Sequence, residues 1–317
     1  VNDKFSIIAG EDFLARPIEG VSAVVNPHIP TGGITLLFGP PGAGKTALNW
    51  ALGNVMAVGE DFLGHSTTPG RVLFISLDMN ERLCHIRMDN SSFKPKFDLA
   101  FGEMVDCLAA SRFKASNFYK GIKRQINKVQ YSLIIIDALG WLGKFEMNND
   151  NVPSQVYGSL QELLTDQTIL LNHHSRKQKH DREGNAIAKT MEDAFGSQFW
   201  TAYAASVMQL QKTGEQTGKL VHSKSQVFEL AEPIAVYVNH EGSTLSLLED
   251  RKVKTATSRL EQWEKIAKDQ HPNWDDLGTE EKVHIFMGIS GRSRKTIYRH
   301  MATLKGTSVA GVTTIPS

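Results

Sequence analysis

Gly39-Pro40-Pro41-Gly42-Ala43-Gly44-Lys45-Thr46 fits the pattern G-x-x-x-x-G-K-[ST], and it sits between an apolar run, Ile34 to Phe38, and a helical pattern from Ala47 onward. A strand, a glycine-rich loop and a helix in that order make a cradle for phosphate. The glycines let the backbone curl with its N–H groups inward, Lys45 reaches the β and γ phosphates, and the Thr46 hydroxyl holds Mg²⁺. The candidate phosphate-binding set is Gly39, Pro40, Pro41, Gly42, Ala43, Gly44, Lys45, Thr46 and Ala47. ATP with Mg²⁺ is the implied ligand. A glycine-rich turn with no ligand is the bland alternative, which the flanking strand and helix disfavour.

Four further positions could act on such a ligand. Asp137 ends Tyr131-Ser132-Leu133-Ile134-Ile135-Ile136, the clearest strand of the chain, and matches a Walker B aspartate that polarises the metal's water shell opposite Thr46. Asp78 ends Val72 to Leu77 and is the candidate general base for the attacking water, because a neighbouring strand end places a carboxylate beside the metal. The same residue is equally suited to cap a helix that opens at Met79. His173, His174 and Lys177 follow the strand from Thr168, where one side chain can report hydrolysis by exchanging a hydrogen bond. Adjacent residues on an extended chain face opposite ways, which disfavours shared metal ligation by the two histidines, and one of them should be a packed or solvated residue. Lys224, ending the Lys219 strand, suits a cation that stabilises transition-state charge, or else a solvated edge-strand lysine.

The elements that must hold these residues are legible in order. Val1 to Thr31, interrupted by Pro17, Pro27 and Pro30, reads as an entry segment packing its apolar residues on the core. The helix from Thr46 ends near Val58 with Gly59 as its stop, and the helix from Met79 to Met88 turns Arg82 and Arg87 to solvent. Met104 to Ala109 is a candidate strand, Phe118 to Val129 a helix, Gly143 to Pro153 a loop and Gln155 to Leu164 a helix. Gln178 to Thr190, charged and poor in large apolar residues, is expected to be mobile, and Gly196-Ser197 opens a short helix. Strands at Ser206 to Leu210, Lys219 to Ser223, Ile234 to Val238 and Thr244 to Leu248 follow, the last two as a hairpin. Strands alternating with helices, then hairpins, predict an α/β fold with a mostly parallel sheet and antiparallel edge strands.

The bulk numbers limit what this machinery serves. With 317 residues and 41% hydrophobic content, one large core and a small second domain are expected. Lys and Arg number 35 against 34 Asp and Glu, so any nucleic-acid surface must be local. Only Cys84 and Cys107 occur, without metal-ligand spacing, which points to reduced thiols in a cytoplasmic protein. No apolar run is long enough to cross a bilayer and no targeting pattern opens the chain.

The domain division that follows is an entry segment over 1–30, an ATPase domain over 31–250, a linker over 251–258, a helical domain over 259–305 and a disordered tail over 306–317. The helical domain has Gly291 ending one helix, Ser293 capping the next, and Arg292, Arg294, Lys295, Arg299 and Lys305 clustered on it. A helix-turn-helix needs that arrangement to meet DNA phosphates and base edges, and Arg294, Lys295 and Arg299 are its candidate contacts. A basic helical bundle for protein contacts is the alternative.

The phosphate loop, the Val72 to Asp78 strand, Leu133 to Leu139, and Leu171 to Lys177 followed by Gly196-Ser197 resemble, in that order, the RecA-like ATPases, and specifically the hexameric RepA-type replicative DNA helicases of plasmids and phages. The resemblance covers roughly Asp12 to Leu248. It implies a five-stranded core that assembles into a ring, with nucleotide between subunits and single-stranded DNA in the channel. By that similarity Lys45 and Thr46 hold phosphate and Mg²⁺, Asp137 the metal, Asp78 the water, and His174 the γ-phosphate sensor position. Lys224 takes the position of a cation reaching a neighbour's phosphate, and Lys179, Arg182 and Lys189 become DNA phosphate contacts. Two positions depart from the family: Asp78 stands where Glu is usual, and Lys224 precedes Ser225 and Gln226 rather than completing a Lys-x-Arg pair.

The primary expectation is therefore an ATP-driven motor on single-stranded DNA, a homo-oligomer, with duplex recognition added by the C-terminal domain. An ATP-switched DNA-binding regulator or loader is the second reading. A recombination ATPase is the third.

Overall fold

The computed structural model describes residues 7–15, 22–91, 93–102, 110–162, 167–175, 193–194, 196–239, 244–248, 260, 263–290 and 293–304. Its centre is a nine-stranded sheet ordered β11-β10-β9-β8-β3-β7-β6-β4-β5. The strands are β3 (Ile34–Gly39), β4 (Val72–Ser76), β5 (Asp98–Phe101), β6 (Leu133–Asp137), β7 (Thr168–His174), β8 (Ser206–Lys212), β9 (Thr217–Ser225), β10 (Ile234–Asn239) and β11 (Thr244–Leu247). Strands β8, β3, β7, β6, β4 and β5 run parallel, whereas β9, β10 and β11 add antiparallel pairings at one edge. The expected architecture is present, with more strands than the five that the family resemblance implied.

The parallel strands are near-continuous apolar runs because both sheet faces are covered. Period-two alternation divides each run between two cores. Leu37, Phe74, Leu133, Ile135 and Leu170 join Leu48, Trp50, Leu52 and Met56 of α2 (Lys45–Val58) and Cys84 and Met88 of α3 (Glu81–Asn90). Leu36, Phe38, Ile75, Ile134, Ile136, Ile169 and Leu171 face Tyr119, Ile122 and Ile126 of α4 (Asn117–Lys128), Val156, Tyr157 and Leu160 of α5 (Asn151–Gln161), and Trp200 of α6 (Phe199–Ala202). Each such side chain taken fully out of water contributes about 1.5–3 kcal/mol, which makes this double layer a rigid mount for whatever lies at the strand ends.

The N-terminal part has α1 (Gly10–Leu14), β1 (Ala23–Val25) and β2 (Ile29–Pro30). Val24, Val25 and Ile29 enter the α2-side core, while Ile7 and Leu14 remain 87% and 78% exposed, which corrects the expectation that the whole segment packs inward. The sequence missed β5: four residues beginning on a charge, none of them fully buried, carry little period. The strand expected at Met104 to Ala109 lies outside the described residues, as do the hairpin turn 240–243, the linker and the tail. The expected helix start at Gly196-Ser197 falls instead at Phe199, because Gly196 has φ 95° and is pressed against the Met147 backbone.

Residues 263–270 form α7, followed by α8 (Thr279–Ser290) and α9 (Arg294–Leu304). Trp263, Ala267, Trp274, Val283, Phe286 and Ile297 make a core of their own. Among the described residues no helix is long and apolar enough to cross a membrane.

Candidate functional site

The strand order puts the C-terminal ends of β3, β7, β6 and β4 side by side. Register then fixes which residues share that edge: Gly39 lies opposite His174, and Ser76 opposite Asp137. Ligands of open α/β sheets bind in the crevice beyond these ends.

The loop between β3 and α2 needs its glycines for backbone reasons. Gly42 and Gly44 have φ of 70° and 98°, the left-handed region that side chains rarely enter. Gly44 is the N-cap of α2 and no side chain caps that end. The first N–H groups of a helix have no carbonyl within it to bond, so this end offers donors and the positive end of the dipole to an anion. Lys45, only 7% exposed, donates from Nζ to the carbonyls of Gly39 at 2.9 Å and Pro40 at 3.2 Å, which curls its ammonium over the loop. The residues present fit a triphosphate.

Thr46 donates its hydroxyl to Oδ2 of Asp137 at 2.8 Å. Asp137 is 2% exposed at the end of β6. A hydroxyl and a carboxylate in contact at the mouth of a phosphate loop are the oxygen donors that a hard cation such as Mg²⁺ takes, and the bound metal would supply charge neutralisation across the phosphates.

Asp78 follows β4 in a turn pinned on several sides. The Leu77 N–H donates to the Asp137 carbonyl at 2.7 Å, and the buried Ser76 hydroxyl donates to the Met79 carbonyl at 2.8 Å. The α3 cap is Asn80, whose side chain accepts from the Leu83 N–H at 2.9 Å, so the capping role considered for Asp78 belongs to a residue two positions later. Asp78 is left to face the cleft. Although its edge is open to solvent, partial enclosure of its carboxyl, and then the neighbouring Asp137, push its pKa up to about 6, with Lys45 and Arg87 opposing. A carboxylate of raised pKa is a stronger base while still ionised at neutral pH. Arg87 is half-buried with its guanidinium 5.1 Å from the Trp50 ring centre, which corrects the expectation that it points to solvent.

The two histidines of β7 separate as alternation requires. His173 is 1% exposed and lies against Trp200, 5.9 Å between ring centres. His174 is on the phosphate-loop side, where burial first and Lys45 second lower its pKa while Asp137 opposes. A neutral imidazole there can donate one hydrogen bond to a phosphate oxygen.

Other expected site residues lie elsewhere. Lys224 pairs with Val207 near the start of β8, at the sheet edge opposite the phosphate loop, and its Nζ donates to the Thr201 and Ala202 carbonyls at the end of α6. Burial there lowers its pKa. On α9 Arg294 forms an ion pair with Glu280, which also accepts from the Tyr298 hydroxyl, and Lys295 is exposed. The side chain of Arg299, and Lys179, Arg182 and Lys189 entirely, lie outside the described residues.

A family model described as an AAA domain matches residues 6–180, more than half of the chain and all the strand ends just described. Among solved structures, one titled "ATPase Domain of G40P" superposes with a TM-score of 0.51 at 13% identity, covering 68% of this chain and 84% of that one. A second, the RadB recombinase, gives a TM-score of 0.45 at 11% identity over 69% of this chain and 91% of that one. A comparison with curated proteins found no match. The chain belongs to the AAA-domain family, and its fold is that of a RecA-like P-loop ATPase.

Proposed function

We propose that the protein is an ATP-hydrolysing DNA motor, a ring-forming replicative helicase that moves on single-stranded DNA. The observation that carries this reading is the end of β7. His174 stands opposite Gly39 within the field of Lys45 and Asp137. The next residue, Ser175, donates its N–H to the Gly39 carbonyl at 3.1 Å and forms an antiparallel bridge with Ala194. Ser175 and Ala194, which flank in sequence the stretch holding Lys179, Arg182 and Lys189, thus meet at the edge of the phosphate loop. A hydrogen bond made or lost at the γ phosphate would act on both ends of a cationic segment suited to a nucleic-acid backbone.

In this reading Asp78 takes the proton of the attacking water, Lys45 and Thr46 hold phosphate and Mg²⁺ with Asp137, and His174 senses the γ phosphate. Lys224, at the edge opposite its own phosphate loop, is the candidate cation for a neighbouring subunit's nucleotide, a role that requires its ammonium to leave the Thr201 and Ala202 carbonyls. The test is the ATPase rate with and without single-stranded DNA, together with strand separation on a forked duplex. Stimulation and unwinding are expected; neither being seen would sink the motor.

The α8–α9 pair favours a second reading, an ATP-switched DNA-binding regulator or loader. It requires tight binding to a defined duplex sequence, weakened when Lys295 and Arg299 are neutralised. Arg294 is the weaker contact because Glu280 holds it.

A further inference from the structure

The turn that presents Asp78 is tied to the phosphate-binding helix through a side-chain stack outside the nucleotide cradle. Trp50 is on α2 one turn beyond Thr46, so the two share a face of the helix. Its ring is fully buried, with Phe93 5.3 Å and Phe74 6.3 Å away between ring centres. The Arg87 guanidinium, from α3, lies 5.1 Å from the centre of that ring, and its Nη1 reaches the Met79 sulfur at 3.7 Å. Met79 is the residue after Asp78, and its carbonyl accepts the Ser76 hydroxyl on the strand side.

We propose that the Arg87–Trp50 stack is a positioning strut that sets the distance between the phosphate-binding helix and Asp78, and so aims Asp78 at the water attacking the γ phosphate. The proposal rests on the reading of Asp78 as the base. A single guanidinium over an aromatic face contributes a small share of a domain's stability. Displacing a reacting group by about 1 Å can cost about 100-fold in rate. The strut thus matters far more to geometry than to folding. Arg87 also opposes the upward push on the Asp78 carboxyl, which agrees with its nearness to that group.

The experiment uses the full chain with Mg²⁺ and ATP. Arg87→Met, which keeps the length and apolar body of the side chain, should lower kcat about tenfold or more with KM, and the Kd of a fluorescent ATP analogue, within about twofold of wild type. Trp50→Phe, which keeps a π face, should retain most of kcat, whereas Trp50→Leu should lose it. The double variant Trp50→Leu with Arg87→Met should lose little more than either single one, because both remove one interaction. An unchanged kcat in Arg87→Met overturns the strut, as does a Kd that rises in step with the fall in kcat. Asp78→Asn, measured alongside, separates the two claims. If it hydrolyses normally, the base reading and the strut fall together; if it is inactive while Arg87→Met is normal, only the strut falls. Arg87→Met decides the matter even if Trp50→Leu does not fold.

Discussion

The Thr46 hydroxyl donates a 2.8 Å hydrogen bond to the buried carboxylate of Asp137, joining the first turn of α2 to the end of β6. In the proposed metal site a hard cation would take both oxygens. Thr46→Val keeps the side-chain shape and removes the donor. We expect the Mg²⁺ concentration for half-maximal ATPase to rise about tenfold or more, while nucleotide binding measured in EDTA stays near wild type. Loss of the bond to a buried carboxylate should also lower stability by about 1–3 kcal/mol, read by urea unfolding. An unaltered Mg²⁺ requirement would remove Thr46 from the metal site.

Asp78 gives a prediction with a pH sign. A base acts when ionised, so hydrolysis should fall as pH drops through the Asp78 pKa. Enclosure and Asp137 raise that pKa to about 6 in the protein without metal, and a bound cation pulls it back down. The acid limb of kcat should therefore lie at or below about pH 6. Asp78→Asn should cost about 100- to 10,000-fold in kcat, the usual span for general-base catalysis, and leave nucleotide affinity intact. Asp78→Glu, restoring the carboxylate usual in the resembled family, should retain activity. An Asn variant with normal turnover would assign the proton to another group.

The sheet near the loop is packed too closely to accept a methyl group at Gly39, whereas helix α5 has room for one at Gly158. A Cβ on Gly39 would stand 2.4 Å from the Leu210 carbonyl oxygen on the adjacent strand β8, whereas one on Gly158, within α5, meets nothing within 4 Å. Gly39→Ala must push β8 away from β3, at a cost of about 1–3 kcal/mol or more. Gly158→Ala should stabilise by up to about 1 kcal/mol, because alanine favours the helix and restricts the unfolded chain. Thermal melts of the two variants should move in opposite directions.

What the sequence made legible was whatever a local pattern encodes. Gly39 to Thr46 is a contiguous motif, and Asp137 closes a strand whose β-branched run reflects burial on both faces. The hairpin strands from Ser206 onward were readable for the same reason. Asn80 was passed over as the α3 cap because Asp78 offers the same chemistry two residues earlier, and only the Leu77–Asp137 backbone contact shows that the strand still holds the chain at that point. The Arg87–Trp50 stack could not be read at all: it joins two helices through a ring whose orientation depends on Phe74 and Phe93. His28, His65 and His222 likewise come from three separate segments and meet only once β1, β2 and β9 are in place.

That histidine cluster gives the fold a sensitivity to acid. His28 is 2% exposed, its ring centre 4.5 Å from that of His65 and 5.1 Å from that of His222. Its backbone carbonyl accepts the Ser206 hydroxyl, which also contacts Nε2 of His222, while Nδ1 of His222 accepts the Ala231 N–H. Burial first, then the charges of His65 and His222, lower the His28 pKa from 6.5 to about 3. A group whose folded pKa is depressed stabilises the fold above its unfolded pKa and loses that contribution as pH falls toward the folded value. His28 should thus contribute fully at pH 7.5 and lose about 2 kcal/mol of it by pH 5, with loss continuing toward pH 3. His28→Phe keeps a ring and cannot titrate, so the difference in unfolding free energy between variant and wild type should shift by that amount in the variant's favour between pH 7.5 and 5. A pH-independent difference would mean that burial and its neighbours do not hold His28 neutral in the fold.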